Sequence, residues 1–262
     1  MAIRLSNRLS ALASLVSKGH RLADIGTDHG YIPIYLCQTG IIPSAIAMDI
    51  GKGPLQQATA HIKQQGLSSR IRTRLSDGLT ALQPGEADTI LIAGMGGGLV
   101  MKILSQGTHA LTGSEELILQ PQSELAQVRA YLRTHGFRIL EEEMILEDGK
   151  YYPMMKVVQE TASDQREETV QVQVEDAFGP VLLQKKHPVL KEWLQRELKT
   201  VDTVCRQLAA QPENERITIR MAQVQEKRLL NQEAVKRYET AAVEDYDNGK
   251  RGGIPAGKQR SA

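Results

Sequence analysis

The chain has 262 residues, 41% hydrophobic and 24% charged, and its 32 lysines and arginines nearly balance its 31 aspartates and glutamates. This length fits one large domain, or one domain with a smaller attachment, and the composition excludes wholesale disorder, collagen and a disulfide-rich scaffold. The net charge of +1 indicates no general attraction to nucleic acid, although a local basic face is enough to bind it. Aromatic residues make up only 4%, which disfavours a broad platform for stacking single-stranded bases.

In the first 160 residues, short apolar runs alternate with segments of helical spacing. The apolar runs predict seven strands, at 21–25, 44–50, 71–75, 88–93, 116–120, 137–145 and 151–159. The remaining segments predict helices at 5–16, 31–39 and 53–66, one that begins over 99–105, and one from an N-cap at Ser123 to 132. Asp148 and Gly149 predict a hairpin between the last two strands. The alternation predicts an α/β, Rossmann-like parallel sheet, and the terminal antiparallel hairpin favours the seven-stranded class I methyltransferase type.

The pattern changes after residue 160. Residues 161–174 are polar and predict a linker, whereas Leu190, Leu194, Val201 and Leu208 recur at the spacing of a long amphipathic helix. An interruption at Pro212 and a weaker helical pattern to about residue 238 predict a C-terminal α-helical hairpin resembling a coiled coil. We therefore expect a catalytic domain at 1–160, a linker and hairpin at 161–240, and a disordered tail at 241–262.

The cysteines and the apolar segments indicate in which cellular compartment the protein is expected. Cys37 and Cys205 lie far apart and form no CxxC motif, so neither a zinc site nor a disulfide framework is expected. Residues 1–16 fit an amphipathic helix better than a signal peptide, and no run of about 18 apolar residues predicts a membrane span. The expected protein is cytoplasmic, binds no metal and no membrane, and is a monomer in preference to an oligomer.

The segment ADIGTDHG follows the first predicted strand and precedes a helix, which is the setting of a nucleotide-binding turn. It supplies the candidate ligand-binding residues Asp24, Gly26, Thr27, Asp28 and His29. Asp28 stands where a third glycine often lies, and its charge is unfavourable beside a pyrophosphate but suits the positive amino end of S-adenosyl-L-methionine. The alternative is a tight strand-to-helix turn without a ligand.

Acidic residues also end the next two strands. Asp49 is the nineteenth residue after Gly30, close to the spacing of a carboxylate that accepts both ribose hydroxyls, and Ile50 follows it. Asp77 and Gly78 close the third strand, where an acid commonly receives the adenine amino group. Acids at three successive strand ends line the carboxyl edge of the sheet, where open α/β folds bind ligands.

A glycine-rich turn follows the central strand. Its residues Ala93, Gly94, Met95, Gly96 and Gly97 would let the backbone approach both a donor and an acceptor. Close packing of a helix on the sheet is the alternative explanation for these glycines.

These motifs, together with LILQPQ and the later GP-x-LL-x-K segment, resemble bacterial tRNA (adenine-22, N1)-methyltransferases of the TrmK type. The resemblance implies S-adenosyl-L-methionine as cofactor and tRNA as partner. It implies donor contacts at Gly26, Asp28, His29, Asp49, Asp77 and 94–97, and it places Asn7 and Arg8 of the first helix at the substrate.

The expected chemistry needs little acid–base help, because the N1 lone pair of an unpaired adenine is available at neutral pH. Asp28 and the carbonyls of Gly94 and Met95 are the groups expected to stabilise the cationic product, with His29 as a weaker acid–base candidate. Tyr31 is a candidate for stacking an extruded base. Candidate phosphate contacts are Arg4, Arg8, Arg72, Arg74, Lys185, Lys186 and Lys191.

Three alternatives stay open at this point. The glycine turn and Asp49 also fit an NAD-dependent oxidoreductase, although Asp28 and the terminal hairpin weigh against it. The chain also fits a non-catalytic module that binds the donor or tRNA, and a methyltransferase that acts on protein or small molecules.

Overall fold

The computed structural model describes residues 3–160, 166–212 and 214–248. Of the tail expected at 241–262, residues 249–262 lie outside this description, as do residues 161–165 of the expected linker. The chain divides into two compact units, Met1–Val189 and Leu190–Ala262.

Seven strands form one sheet in the first unit. They are β1 (Leu22–Ile25), β2 (Ala45–Asp49), β3 (Ile71–Leu75), β4 (Thr89–Met95), β5 (Glu116–Pro121), β6 (Phe137–Glu147) and β7 (Lys150–Gln159). Their order is β3-β2-β1-β4-β5-β7-β6. Neighbours from β3 to β5 pair in parallel, whereas β7 runs antiparallel to both β5 and β6. The predicted seven-stranded α/β sheet with an antiparallel hairpin is therefore confirmed.

Ten helices lie within the described residues. Those of the first unit are α1 (Asn7–Leu15), α2 (Tyr31–Gln38), α3 (Lys52–Gln64), α4 (Gly97–Gln106), α5 (Thr108–Leu111), α6 (Leu125–Thr134), α7 (Val170–Phe178) and α8 (Pro180–Gln184). They are followed by α9 (Pro188–Ala209) and α10 (Glu215–Asn248). None of them is both long and apolar enough to cross a bilayer.

Helices cover both faces of the sheet, because successive residues of each buried strand point to opposite sides. Leu91 of β4 packs in the layer with α1, α2 and α3, whereas its neighbours Ile90 and Ile92 pack in the layer with α4, α5 and α6. The residues of these two clusters are almost all aliphatic.

Helix α7 begins inside the segment that the sequence analysis assigned to a linker. It buries Val172, Val174 and Phe178. The buried Arg129 of α6 donates hydrogen bonds to the Glu142 carboxylate (2.9 Å) and to the carbonyl oxygen of Asp176 in α7 (2.9 Å). Packing therefore joins α7 to the sheet unit, so that this unit extends beyond residue 160 to Val189.

The second unit contains the predicted pair of helices. Val201 and Leu208 of α9 pack against Val224 of α10, and partly buried Cys205 and Met221 complete the cluster. Two ion pairs cross between the helices, from Lys227 to Glu197 and from Arg228 to Asp202. Helix α10 continues to Asn248, ten residues beyond the end predicted near residue 238.

Candidate functional site

Asp24 lies in β1 beneath the first glycine turn, and only 8% of its surface is exposed. The Thr27 hydroxyl donates a 2.6 Å hydrogen bond to its carboxylate. Burial raises the pKa of Asp24 to about 6, and the negative charge of Asp49 adds to the rise, while the Thr27 hydrogen bond opposes it. The site therefore contains a buried acid that a nearby positive charge would stabilise in its ionised form.

The turn after β1 depends on glycine at position 26. Its φ is +73°, and a Cβ at this position would lie 2.2 Å from the Cε atom of Met95. The N–H groups of Gly26 and Thr27 both donate to the carbonyl oxygen of Met48, at 2.8 and 2.9 Å. The side chain of Met95, from the central strand, thus lies directly against the backbone of the first glycine turn.

The second and third acids occupy neighbouring strand ends. Asp49 accepts a 2.6 Å hydrogen bond from the Gly51 N–H, and its carbonyl oxygen accepts from the Ser76 N–H at 2.9 Å. The Ser76 hydroxyl donates to the Gly78 carbonyl oxygen (2.8 Å), so the turn that carries Asp77 is held by its own side chain. Since β2 and β3 are paired, the carboxylates of Asp49 and Asp77 share one edge of the sheet.

Large apolar side chains are exposed at the same edge. Ile50, directly after Asp49, is 68% exposed, and Leu75 and Leu99 are about half exposed. Apolar surface beside carboxylates is what a ligand with a flat aromatic base and a ribose requires.

Asp28 and His29 lie at the rim of the site. The Asp28 side chain is 79% exposed, and one of its oxygens is 3.1 Å from Nε2 of His29. The His29 backbone has a φ of +60°, which is uncommon outside glycine, and its buried Nδ1 has no hydrogen-bond partner. The rings of His29, Tyr31 and His61 stack with centroids 5.3 to 5.8 Å apart.

β4 has a bulge between Ala93 and Met95, and the space bordered by Gly94, Arg8 and Gln122 is called the Gly94 gap below. Gly94 has a φ of +79°, and a Cβ there would lie 3.9 Å from both Nη1 of Arg8 and Nε2 of Gln122. The Arg8 guanidinium donates to the buried Gln120 (3.1 Å) and lies 5.5 Å from the ring centroid of Tyr152. The structure therefore brings Arg8 of α1 to the glycine-rich turn.

The segment at 120–124 clamps the glycine-rich turn, and sequence reasoning did not identify it as part of the site. The Gln122 N–H donates to the Met95 carbonyl oxygen at 2.8 Å, the Gly97 N–H to the Ser123 hydroxyl at 3.2 Å, and the Gly98 N–H to the Glu124 carboxylate at 2.8 Å. The prediction that Ser123 is an N-cap of α6 was wrong. Its hydroxyl is used by the other loop, and Glu124, with a φ of +54°, stands at the N-cap instead.

The remaining candidate substrate residues are more scattered. Arg4 and Asn7 are exposed next to α1 and at its start, and Arg72 and Lys191 are exposed on β3 and α9. Arg74 instead forms a bidentate salt bridge with Glu86, and its hydrogen bonds to this carboxylate raise the pKa of the arginine. The Lys185 ammonium already has acceptors in the carbonyl oxygen of Glu142 and the carboxylate of Glu143. The neighbouring Lys186 has a φ of +49°.

Carboxylates do not combine into a metal centre here. Within residues 3–160, 166–212 and 214–248, no group of three or more His, Cys, Asp or Glu side chains is arranged to hold a metal ion. Asp24 and Asp49 also have no lysine or arginine partner in that part of the chain. Two acids without a cationic partner fit S-adenosyl-L-methionine, which carries positive charge, better than they fit a pyrophosphate.

Known proteins share both the sequence and the fold. A methyltransferase domain family matches residues 5–155. The tRNA (adenine(22)-N(1))-methyltransferase of Bacillus subtilis (strain 168) is 34% identical over 234 residues, which cover 89% of this chain and 98% of that protein. The chain belongs to the tRNA (adenine(22)-N(1))-methyltransferase family. The resemblance found in its motifs is thereby confirmed.

Solved structures of this family match most of the chain. The crystal structure of the B. subtilis m1A22 tRNA methyltransferase TrmK is 32% identical, with a TM-score of 0.79, and the match covers 88% of this chain and 99% of that one. A Streptococcus pneumoniae protein solved in complex with S-adenosyl-L-methionine is also 32% identical, with a TM-score of 0.76 and the same coverage.

Proposed function

We propose that this protein transfers a methyl group from S-adenosyl-L-methionine to N1 of adenine 22 in tRNA. The proposal rests on the B. subtilis relative that is named for this activity. The match to it covers 98% of that protein and therefore includes the helices after the sheet. The acids at three neighbouring strand ends support it independently.

The donor occupies the cleft along β1, β2 and β3. The Asp49 carboxylate accepts hydrogen bonds from the ribose hydroxyls. At Asp77 and Gly78 the adenine amino group is bound, and Ile50 packs against the adenine ring. Asp24, Thr27, Asp28 and His29 surround the methionine portion, where the buried charge of Asp24 stabilises its ammonium group. When bound, S-adenosyl-L-methionine supplies an electrophilic methyl group on a sulfonium centre.

The chain orients the donor and the target adenine, and it stabilises the positive charge of the product. Adenine N1 has an in-plane lone pair, so no strong base is needed to prepare the nucleophile. Alignment alone can contribute several kcal/mol, at most about 7–11. The glycine-rich turn 93–97 brings backbone close to the reacting groups, because Gly94 has no side chain of its own and its φ of +79° favours glycine.

The product adenine carries positive charge, and negative groups near it lower the barrier. Asp28 and the carbonyl oxygens of Gly94 and Met95 fill this role. The Met95 carbonyl already accepts one hydrogen bond from Gln122, which holds the turn in place and leaves its second lone pair. His29 keeps Asp28 in position across their 3.1 Å contact.

The tRNA is held through its phosphates and one extruded base. Asn7, Arg8 and Arg4 place the target nucleotide beside Gly94, and Tyr31 stacks on the extruded base. Lys186, Lys191 and Arg72 add phosphate contacts, with a smaller part for Lys185, whose ammonium is already engaged.

The remaining assignments belong to the same proposal. The protein is a cytoplasmic monomer, α9 and α10 form a coiled-coil-like arm that binds tRNA, and the catalytic reaction uses no metal. The sheet and its helices form the catalytic domain.

The direct test uses purified protein, labelled S-adenosyl-L-methionine and two tRNA transcripts that differ only at position 22. We expect label to enter the transcript with adenine at this position and not the one with guanine, and we expect the labelled nucleoside to be N1-methyladenosine. Label in neither transcript, with the donor still bound, would favour a non-catalytic binding module. Thermal stabilisation by NAD and not by S-adenosyl-L-methionine would favour an oxidoreductase.

A further inference from the structure

We propose that Gln122 is a specificity residue that reads the N6 and N7 edge of the target adenine while leaving N1 exposed for methylation. This inference rests on the proposed function, because it requires an adenine at the Gly94 gap. It assigns to the segment at 120–124 a direct contact with the substrate, in addition to its clamping of the glycine-rich turn.

Gln122 is fixed by its backbone and open at its side chain. Its N–H donates to the Met95 carbonyl oxygen at 2.8 Å, so its Cα is held beside the central strand. Its side chain is exposed, and no hydrogen bond joins the amide group to another residue in the described ranges. Nε2 lies 3.9 Å from the position of a Cβ on Gly94. An amide donor and acceptor therefore border the gap without a protein partner.

Arg8, Gln120 and Gly94 also lie at the gap, but they are less suited than Gln122 to bind the adenine edge. Arg8 is held by Gln120 and lies near the ring of Tyr152, and its fixed positive charge suits a phosphate rather than an adenine that becomes cationic. The Gln120 side chain is fully buried and engaged by Arg8. Gly94 itself presents only backbone. Gln122 alone among these residues offers both a donor and an acceptor on a free amide.

The chemistry of the reaction restricts which edge of the base a protein can grip. Methylation at N1 requires that N1 point at the donor, so its lone pair cannot accept a hydrogen bond from the enzyme at that moment. Adenine offers a second edge, with the N6 amino group as donor and N7 as acceptor. A glutamine amide matches that edge with two hydrogen bonds, since its oxygen accepts from N6 and its NH₂ donates to N7.

The same pair of hydrogen bonds rejects guanine. Guanine keeps N7 but has an oxygen at position 6, which would face the glutamine oxygen with no proton between them. Two acceptor oxygens that face each other repel, and both lose the hydrogen bonds to water that they had before the base bound. Gln122 thus selects adenine over the other purine without touching N1.

The test measures kcat/KM for wild type, Gln122→Ala and Gln122→Glu on two tRNAs. One carries adenosine at position 22, and the other carries 7-deazaadenosine, which has a carbon in place of N7. Glutamate keeps the size and the acceptor for N6 but lacks the donor for N7. Gln64→Ala, at an exposed glutamine near the C-terminal end of α3, is the matched control.

We expect Gln122→Ala to lower kcat/KM on the adenosine tRNA by about 10- to 100-fold, as for the loss of a bidentate base contact. On the 7-deazaadenosine tRNA the loss should be several-fold smaller, because wild type has already lost the N7 contact there. Gln122→Glu should show the same contrast, and Gln64→Ala should match wild type on both. Affinity for S-adenosyl-L-methionine and the unfolding temperature should stay unchanged in each variant.

Equal losses on the two tRNAs would overturn the inference, because Gln122 would then act only on the glycine-rich turn. Unchanged activity of both Gln122 variants would overturn it as well. If wild type methylates neither tRNA, the proposed function fails, and the inference fails with it. If wild type methylates the adenosine tRNA normally but the Gln122 variants lose equal activity on both tRNAs or lose none, only the inference about Gln122 fails and the proposed function stands.

Discussion

Asp24 is the buried acid that the proposed function places beside the positively charged end of the donor. Its carboxylate is buried, accepts a hydrogen bond from Thr27 and is influenced by the charge of Asp49, and these effects together place its pKa at about 6. In the ligand-free protein this arrangement is costly above that pH, because the charged form lacks the solvation it has in water. A cationic ligand compensates for the cost.

Donor affinity should therefore depend on pH through Asp24. Below about pH 6 the acid is protonated and the attraction to the donor's ammonium group is lost, so we expect affinity for S-adenosyl-L-methionine to rise from pH 5 to pH 7. Titration calorimetry at several pH values measures this rise, and Asp24→Asn should flatten it. An affinity that is constant over this range in wild type would contradict the role of Asp24.

The same group sets the sign of a stability effect. The pKa of Asp24 is higher in the folded protein than the ordinary value of 3.8, so the folded state binds the proton more tightly. Its contribution to the free energy of unfolding therefore falls as pH rises from about 4 to about 6, by a total of about 3 kcal/mol. Asp24→Asn should accordingly stabilise the ligand-free protein at pH 7 and not at pH 4.

Some site residues follow from the sequence and others do not. Asp49 and Asp77 could be predicted at one edge, because parallel strands end on the same side of the sheet. Gln122 could not, because its position depends on contact between loops that follow different strands. Arg74 looks like an available cation in the sequence, but Glu86, twelve residues later, pairs with it.

The two loops at 94–98 and 120–124 form the structural element on which the proposed chemistry depends. Their contact is close at Gly97, where a Cβ would lie 2.5 Å from the Ser123 carbonyl oxygen and 2.9 Å from Val128. Because the nearest atom belongs to the backbone, it cannot move aside as a side chain would.

Gly97→Ala should therefore separate the loops. We expect it to lower the free energy of unfolding by about 1–3 kcal/mol and to reduce methyl transfer more than donor binding. Gly53→Ala is the matched control, since it also lies in the first turn of a helix but has nothing within 4 Å of its Cβ position. The control should be neutral or stabilising by up to about 1 kcal/mol. Denaturant unfolding measures both, and equal stabilities would refute the close contact.

Helices and strands could be predicted from the sequence where the alternation of apolar and polar residues matches one type of element. The limits of β3 were predicted residue for residue, because apolar and polar residues alternate there between two clear turns. Helix α7 was missed because its valines alternate with polar residues, a pattern that does not suggest a helix. It forms where the buried Arg129 of α6 donates hydrogen bonds to the carbonyl oxygens of Asp176 and Ala177, and this partner is distant in sequence.

At the scale of the whole molecule, one unit holds the sheet with its cleft and the other holds the helical hairpin. The near-neutral charge and the few aromatic residues fit an enzyme that accommodates a single base and holds RNA through local basic residues. Binding of that kind depends on phosphate contacts, so it weakens as salt rises.

The central claim is methylation of adenine 22 in tRNA, and the most direct test is to map that nucleoside in cells. In tRNA from a strain that lacks the gene, we expect N1-methyladenosine at position 22 to be absent. It should return with the wild-type gene and not with Asp49→Ala, which removes the carboxylate assigned to the donor ribose. Unchanged N1-methyladenosine at position 22 in the deletion strain would contradict the account.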